Sequence, residues 1–133
     1  MSQLRRIRNL AQAILRRRSP ERAQPGAPVT PVIVGKIGTV PERGLAKFDA
    51  GGYEIAVANI DGRYYAVSDI CTHFRCSLSE GELDGPILTC VCHGSRFDVS
   101  TGEVQRGPAK RPVQVYAVRV QGDDLVVDVP SAS

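Results

Sequence analysis

The sequence lacks the features that would place it in a membrane or an export pathway. None of its stretches approaches the roughly 18 consecutive apolar residues that a membrane-spanning helix needs. No uninterrupted apolar segment or small-residue cleavage site follows the basic N-terminus, which argues against a secretory or twin-arginine signal. The 133 residues contain no tryptophan and no internal repeat, and a 42% apolar content is ordinary for one globular domain. We therefore expect a cytoplasmic protein.

Charge is distributed unevenly along the chain. The residues before Val29 include seven arginines and one acid, a net charge of +6. The remainder has ten basic and thirteen acidic residues, a net charge of −3, so the overall +3 conceals two oppositely charged parts. An asymmetry of this kind concerns the choice of partner more than the fold.

Residues 1–19 are predicted to form a short basic amphipathic helix. Apolar residues recur there at three- and four-residue steps, and arginines cover the remaining surface. Pro20 ends the helix because proline lacks an N–H, and the proline-rich residues 20–31 form a linker. We expect the helix to dock on a partner protein or to lie peripherally on the cytoplasmic membrane face. Nucleic acid is not an expected partner, since no base-stacking aromatic residues accompany the arginines.

From residue 32 onward the pattern is that of β-strands. Short runs of β-branched and aromatic residues alternate with turn signals, as in YEIAVANI, RYYAVSD, VQVYAVRV and DLVVDV. Asp61-Gly62 and Gly122-Asp123 each separate two such runs, which predicts tight hairpins. The sequence therefore predicts an all-β body of antiparallel hairpins, interrupted between about residues 70 and 108 by loops that contain cysteine and histidine.

The scarce metal-binding residues are concentrated in these two loops. All four cysteines and both histidines lie in CTHFRC (71–76) and CVCHG (90–94). Cys71 with His73, and Cys90 with His93, could hold either a tetrahedral zinc ion or a [2Fe-2S] cluster. Zinc fingers usually pair cysteine with cysteine and histidine with histidine on separate elements, whereas each loop here supplies one of each. A cluster with both thiolates on one iron and both imidazoles on the other suits that arrangement.

These motifs closely resemble those of the Rieske [2Fe-2S] family. The resemblance covers C-T-H, sixteen further residues and C-V-C-H-G, and continues through SEGELDG, SRFDVSTGEV and RGPAKRPV. It implies a Rieske-type antiparallel β-sandwich over residues 32–129, with an inserted cluster-binding subdomain at about 70–108 and a tail at 130–133. It also implies one [2Fe-2S] cluster, with Cys71 and Cys90 as ligands of one iron and His73 and His93 as ligands of the other.

The resemblance also suggests a role for the remaining cysteines. In the Rieske proteins of quinol-oxidising cytochrome complexes, the cysteines that match Cys76 and Cys92 form a disulfide, whereas many dioxygenase-type Rieske ferredoxins lack them. We therefore predict a Cys76–Cys92 disulfide. Two free thiols are the alternative, which a reducing cytosol would favour.

Four further residues are expected to adjust the reduction potential of the cluster or to cover it. Ser95 matches a family serine whose hydroxyl donates to a bridging sulfide, and Phe97 stands where high-potential members have a tyrosine that donates to a ligand cysteine. Gly107 and Pro108 match the loop that shields the cluster in relatives. Phe74 and Arg75 replace the leucine and glycine more common in quinol-oxidising relatives, and we expect them at the partner-docking surface.

The resemblance implies an electron carrier. Both histidines are predicted ligands, so none remains for the mononuclear iron site of an oxygenase. Because a freely diffusing ferredoxin has little use for a basic helix, the sequence favours a small electron-transfer subunit, docked to a larger oxidoreductase or respiratory complex through the cluster tip and the helix. The alternative is a freely diffusing Rieske ferredoxin that feeds an oxygenase. A zinc-binding module without redox activity is a remote alternative, and the ligand-free small subunit of a nitrite reductase is disfavoured by the intact ligands.

Overall fold

The computed structural model describes residues 28–131. The predicted helix at 1–19 and most of the linker at 20–31 lie outside these described residues. Within them the chain forms β-strands and two short 3₁₀ turns, Ile37–Thr39 and Leu78–Glu80. The strands are β1 (Val29–Lys36), β2 (Gly44–Ala50), β3 (Tyr53–Ile60), β4 (Arg63–Ser68), β5 (Glu82–Asp84), β6 (Ile87–Thr89), β7 (Arg96–Asp98), β8 (Val104–Arg106), β9 (Val115–Tyr116), β10 (Val118–Gln121) and β11 (Asp124–Pro130).

The strands form three antiparallel sheets. One has the order β1-β11-β10, the second β2-β3-β4-β9 and the third β5-β6-β7-β8. The third sheet lies in the chain between β4 and β9, so it is an insertion into the second. The prediction of an all-β protein with antiparallel sheets is confirmed.

The second sheet is covered on both faces. Along β3, Ile55 and Val57 belong to a hydrophobic cluster shared with β1 and β11, whereas Ala56 and Ala58 belong to the cluster shared with the inserted sheet. Successive side chains of a strand point to opposite faces, so five consecutive residues of β3, 55–59, can be buried only because the strand has a layer on each side. This arrangement presents the inserted sheet and its loops to one side of the body.

Both predicted hairpins are present. Asp61 and Gly62 form a two-residue loop between β3 and β4 with φ values of 54° and 88°. Positive φ at both positions is what a type I′ turn requires, and Asp-Gly is a favoured pair there. Gly122 and Asp123 connect β10 to β11.

The structure differs from the sequence prediction in three places. The run VQVYAVRV is divided at Ala117, since β9 pairs with β4 and β10 pairs with β11. Strand β2 was not predicted, because glycine, lysine and aspartate weaken the β pattern of GLAKFDA. The region 70–108 contains four strands of three residues each where loops were expected, and such short strands show no clear period. No helix of the described part of the chain is long and apolar enough to cross a membrane.

Candidate metal centre

The two loops that contain cysteine and histidine close in the same way. The first follows β4 and the second follows β6. In each, the amide of the first cysteine donates to a carbonyl five residues later, from Cys71 to Cys76 at 3.0 Å and from Cys90 to Ser95 at 2.8 Å. These bonds hold both loops as compact turns at one end of the inserted sheet.

The thiols of Cys71 and Cys90 lie in the hydrophobic interior. They are only 4% and 2% exposed, and they belong to the same buried cluster as Phe97 and Leu88. Burial raises the pKa of the Cys90 thiol, and the neighbouring Cys71 thiol adds to that shift, whereas the backbone amide of Cys92 opposes it. Binding as a thiolate therefore requires a metal that displaces the proton.

The imidazoles of His73 and His93 lie at the surface. Their ring centroids are 5.1 Å apart in an edge-to-face arrangement. The ring of Phe74 lies 5.6 Å from that of His93, also edge to face, and this phenylalanine is 60% exposed. The structure therefore places two imidazoles and one aromatic ring where another protein could reach them.

Cys76 and Cys92 are joined by a disulfide, as the resemblance implied. Their Cα atoms are 6.4 Å apart and the bond spans 16 positions of sequence. Since one cysteine lies in each loop, the bond fixes the two loops relative to one another. Two free thiols, the alternative considered for this pair, are not what the structure shows.

A third segment, residues 107–111, is attached to both loops. The hydroxyl oxygen of Ser95 accepts a hydrogen bond from the amide of Ala109 at 2.9 Å. The hydroxyl of Thr72 donates to the carbonyl oxygen of Arg111 at 2.7 Å. Ser95 is buried and its own hydroxyl hydrogen is not used in the bond to Ala109, so it can donate to a sulfide ligand. Gly107 and Pro108 are in this segment and are exposed.

Asp69 supports the first loop, and sequence reasoning missed it. Its buried carboxylate accepts hydrogen bonds from the hydroxyl of Ser77 at 2.5 Å and the amide of Ser79 at 2.7 Å. The ammonium group of Lys47 lies 3.8 Å away. Nothing in the sequence distinguishes this acid from the others, because its partners are eight and ten residues further on. Thr72 was missed as well, since a lone threonine gives no signal.

The remaining predicted site residues divide between interior and surface. Phe97 is fully buried beside the thiols, whereas Arg75 is exposed next to the imidazoles. A tyrosine hydroxyl at position 97 would therefore lie inside the core that encloses Cys71 and Cys90.

The donor arrangement fits two metal positions better than one. A zinc ion bound at about 2.0–2.3 Å needs all of its ligand atoms within roughly 4.6 Å of one another. Among residues 28–131, the sulfur atoms of Cys76, Cys90 and Cys92 form the one set of three or more ligand atoms within 4.8 Å, and two of these are in the disulfide. The four predicted ligands instead separate into a buried thiol pair and an exposed imidazole pair. A [2Fe-2S] cluster with two thiolates on one iron and two imidazoles on the other fits these donors.

Comparison with known proteins gives a consistent result. A family model described as a Rieske [2Fe-2S] domain matches residues 30–117. The biphenyl dioxygenase ferredoxin subunit of Pseudomonas sp. (strain KKS102) is 42% identical over 81 residues, 60% of this chain and 74% of that protein. The solved ferredoxin of carbazole 1,9a-dioxygenase from Nocardioides aromaticivorans IC177 is 32% identical with a TM-score of 0.72, and the match covers 77% of this chain and 99% of that one. A complex of reduced oxygenase and oxidized ferredoxin in carbazole 1,9a-dioxygenase contains a match of 32% identity and TM-score 0.69, over 73% of this chain and 91% of that one.

Proposed function

This chain belongs to the Rieske [2Fe-2S] domain family, and we propose that it is a mobile ferredoxin that delivers single electrons to an oxygenase. The sequence alone favoured a subunit docked to a larger oxidoreductase or respiratory complex. The similarity to ferredoxin components of dioxygenases supports the alternative instead. The observation that carries the proposal is the exposed imidazole pair above the buried thiol pair, in a domain similar to proteins named as ferredoxins.

The chain's own residues would hold the cofactor and direct electron exchange. Cys71 and Cys90 would be its ligands on the interior side, and His73 and His93 its ligands at the surface. When bound, the cluster supplies one-electron oxidation and reduction. The apolar core around the thiols excludes water from the interior side, so the imidazole edge is the shortest route to another protein.

The supporting contacts would keep that geometry constant during electron transfer. The Cys76–Cys92 disulfide joins the loops, and the hydroxyls of Thr72 and Ser95 attach them to residues 107–111. A site that moves little on changing charge needs little reorganisation, which suits a carrier that must both accept and donate electrons quickly. We propose a location in the cytoplasm, with other redox proteins as partners.

The test is a potentiometric titration of the cluster-containing chain, with electron paramagnetic resonance of the reduced state. Rieske centres span about −150 to +300 mV. A ferredoxin that receives electrons from a nicotinamide-linked reductase requires a value near the lower end of that range. A value well above zero would instead support the subunit of a higher-potential chain, and a colourless folded protein with one zinc would return the zinc module to consideration.

A further inference from the structure

Positive charge is concentrated along one side of the candidate metal centre. The end of the inserted sheet nearest the two loops has a row of paired residues that crosses β5 to β8 in the order Glu82, Thr89, Arg96 and Arg106. Lys110 and Arg111 continue from Arg106 along the chain and are exposed. We call the four cations Arg96, Arg106, Lys110 and Arg111 the basic edge.

Two members of the basic edge are cross-strand partners of like charge. Arg96 and Arg106 are Cα partners in the antiparallel pairing of β7 with β8, where the register shifts between Arg96 and Phe97, and both are exposed. Like charges directly opposite on neighbouring strands are destabilising. Within residues 28–131 neither arginine has an ion pair to relieve that repulsion. Their charge therefore faces outward, available to a second molecule.

The rest of the basic edge is held at a fixed position beside the imidazoles. Ser95 binds the amide next to Lys110, and Thr72 binds the carbonyl of Arg111 itself. Arg111 also lines a surface cavity with His73 and Phe74. These cations are therefore part of the surface that surrounds the exposed ligands.

The surrounding charges make this surface distinct from the rest of the body. Residues 29–133 have a net charge of −3, and the acids of the inserted sheet include Asp84 and Asp98, at the ends of β5 and β7 away from the loops. Glu82 is the one acid in the row at the loop end, on the opposite edge strand. Phe74 and Val91, 60% and 56% exposed, add apolar area between the charges.

We propose that the basic edge docks an acidic surface of a larger redox protein, with Phe74 and Val91 at the apolar centre of the contact. This inference rests on the proposed function and assigns the charge of the partner. A protein is the fitting occupant because apolar centres with charged rims are typical of protein interfaces. Complementary charge also accelerates encounter and orients the two partners, which a carrier that forms short-lived complexes requires.

The experiment compares two variants of the full cluster-containing chain that lose the same charge. Arg96→Gln with Arg106→Gln removes two cations of the basic edge, and Arg63→Gln with Arg119→Gln removes two at a distance from the loops. Each reduced protein is oxidised by anionic ferricyanide and by cationic tris(phenanthroline)cobalt(III) in a stopped-flow instrument. The ratio of the two rates is the readout, because a shift in potential affects both oxidants alike.

We expect the edge variant to lower the ferricyanide-to-cobalt rate ratio roughly three- to tenfold at low ionic strength, with the difference vanishing near 0.3 M salt. Polyglutamate should slow the ferricyanide reaction of the control variant more than that of the edge variant, which keeps only Lys110 and Arg111 of the basic edge. Equal ratios in the two variants would overturn the inference. Dimerisation of the control variant but not of the edge variant would also overturn it, because the occupant would then be a second copy of this chain. Binding of the control variant to anionic vesicles but not to polyglutamate would overturn it as well, because the occupant would then be a lipid surface.

The two proposals fail separately. A chain that gives no Rieske resonance on reduction would contradict the proposed function before any rate is measured. A normal resonance with equal rate ratios in the two variants would leave the carrier function intact and overturn the inference of an acidic partner.

Discussion

The buried thiols and the exposed imidazoles come from the same two loops, but different forces hold them. Cys71 and Cys90 are enclosed by the hydrophobic core of the inserted sheet, so packing fixes their positions. The exposed rings of His73 and His93 contact each other and the ring of Phe74, and we expect their positions to depend on how the two loops are held together. The fold thus encloses the thiol pair and leaves the imidazole pair open to a partner.

Removing one predicted ligand from each pair should have the largest effects. It should show which of the two ligands supports only cluster binding and which also supports the stability of the fold. Cys90→Ser and His93→Ala should both abolish the Rieske resonance and lower the iron content. Only Cys90→Ser should also destabilise the metal-free chain, by about 1–3 kcal/mol, because it buries a hydroxyl without an assured partner. Iron analysis and urea unfolding of the metal-free proteins check this. Equal stability losses would mean that the two pairs are held alike.

Removing the disulfide should loosen both pairs together. A cross-link over a loop of this length, 16 positions, contributes roughly 3 kcal/mol. We expect Cys76→Ala with Cys92→Ala to lose about that much in urea unfolding. The unmodified chain treated with strong reductant is the control and should fall to the same stability. If the oxidised, unmodified chain unfolds at the same urea concentration as the double variant, the disulfide does not tie the loops together in solution.

Asp69→Asn should destabilise the first loop while leaving the second unaffected. The carboxylate receives bonds from Ser77 and Ser79, and hydrogen bonds to a charged group contribute about 1.5–3 kcal/mol. The exposed Asp49, which binds the amide of Gly52, is the matched control, and Asp49→Asn should cost less than about 0.5 kcal/mol. Hydrogen exchange should quicken at residues 77–79. If the two variants unfold at the same urea concentration, Asp69 has no special role.

Phe97→Tyr should raise the reduction potential of the cluster by adding a hydrogen-bond donor on its interior side. The ring is fully buried beside the thiols, and a hydroxyl that donates to a thiolate stabilises the more negative reduced state. One such bond, at about 1.4 kcal/mol, corresponds to a rise of about 60 mV for one electron. Potentiometric titration measures it, with Phe97→Leu as a control that adds no donor. A fall, or the same change in both variants, would contradict the expectation.

Phe74→Ala should have the smallest effect on the isolated chain. The ring is 60% exposed, so the free energy of unfolding should change by less than about 0.5 kcal/mol and the resonance should be retained. Urea unfolding and spectroscopy of the reduced chain check both. A loss above about 1 kcal/mol would make Phe74 a support of the imidazoles and not a contact for partners.

The sequence was most informative where residue types are scarce or turns are demanding. Four cysteines and two histidines in two short stretches were enough to locate the loops, and Asp61-Gly62 located a hairpin. The disulfide partner came from family resemblance, since spacing alone leaves the pairing open. The contacts of Asp69 and Thr72 were not predictable, because they join ordinary polar residues that become neighbours only through the tertiary fold. The three-residue strands were not predicted for a similar reason, because their pairing in the tertiary fold defines them and their sequences show no clear pattern.

Electron–nuclear double resonance of the reduced chain, with ¹⁵N introduced only in histidine, tests the central claim most directly. The chain has two histidines, so every coupled imidazole nitrogen can be assigned to His73 or His93. Strong coupling to two histidine nitrogens in the unmodified chain, lost together with the Rieske resonance in His93→Ala, is the predicted result. Coupling to one nitrogen or none in the unmodified chain would mean that the exposed imidazoles do not hold the cluster.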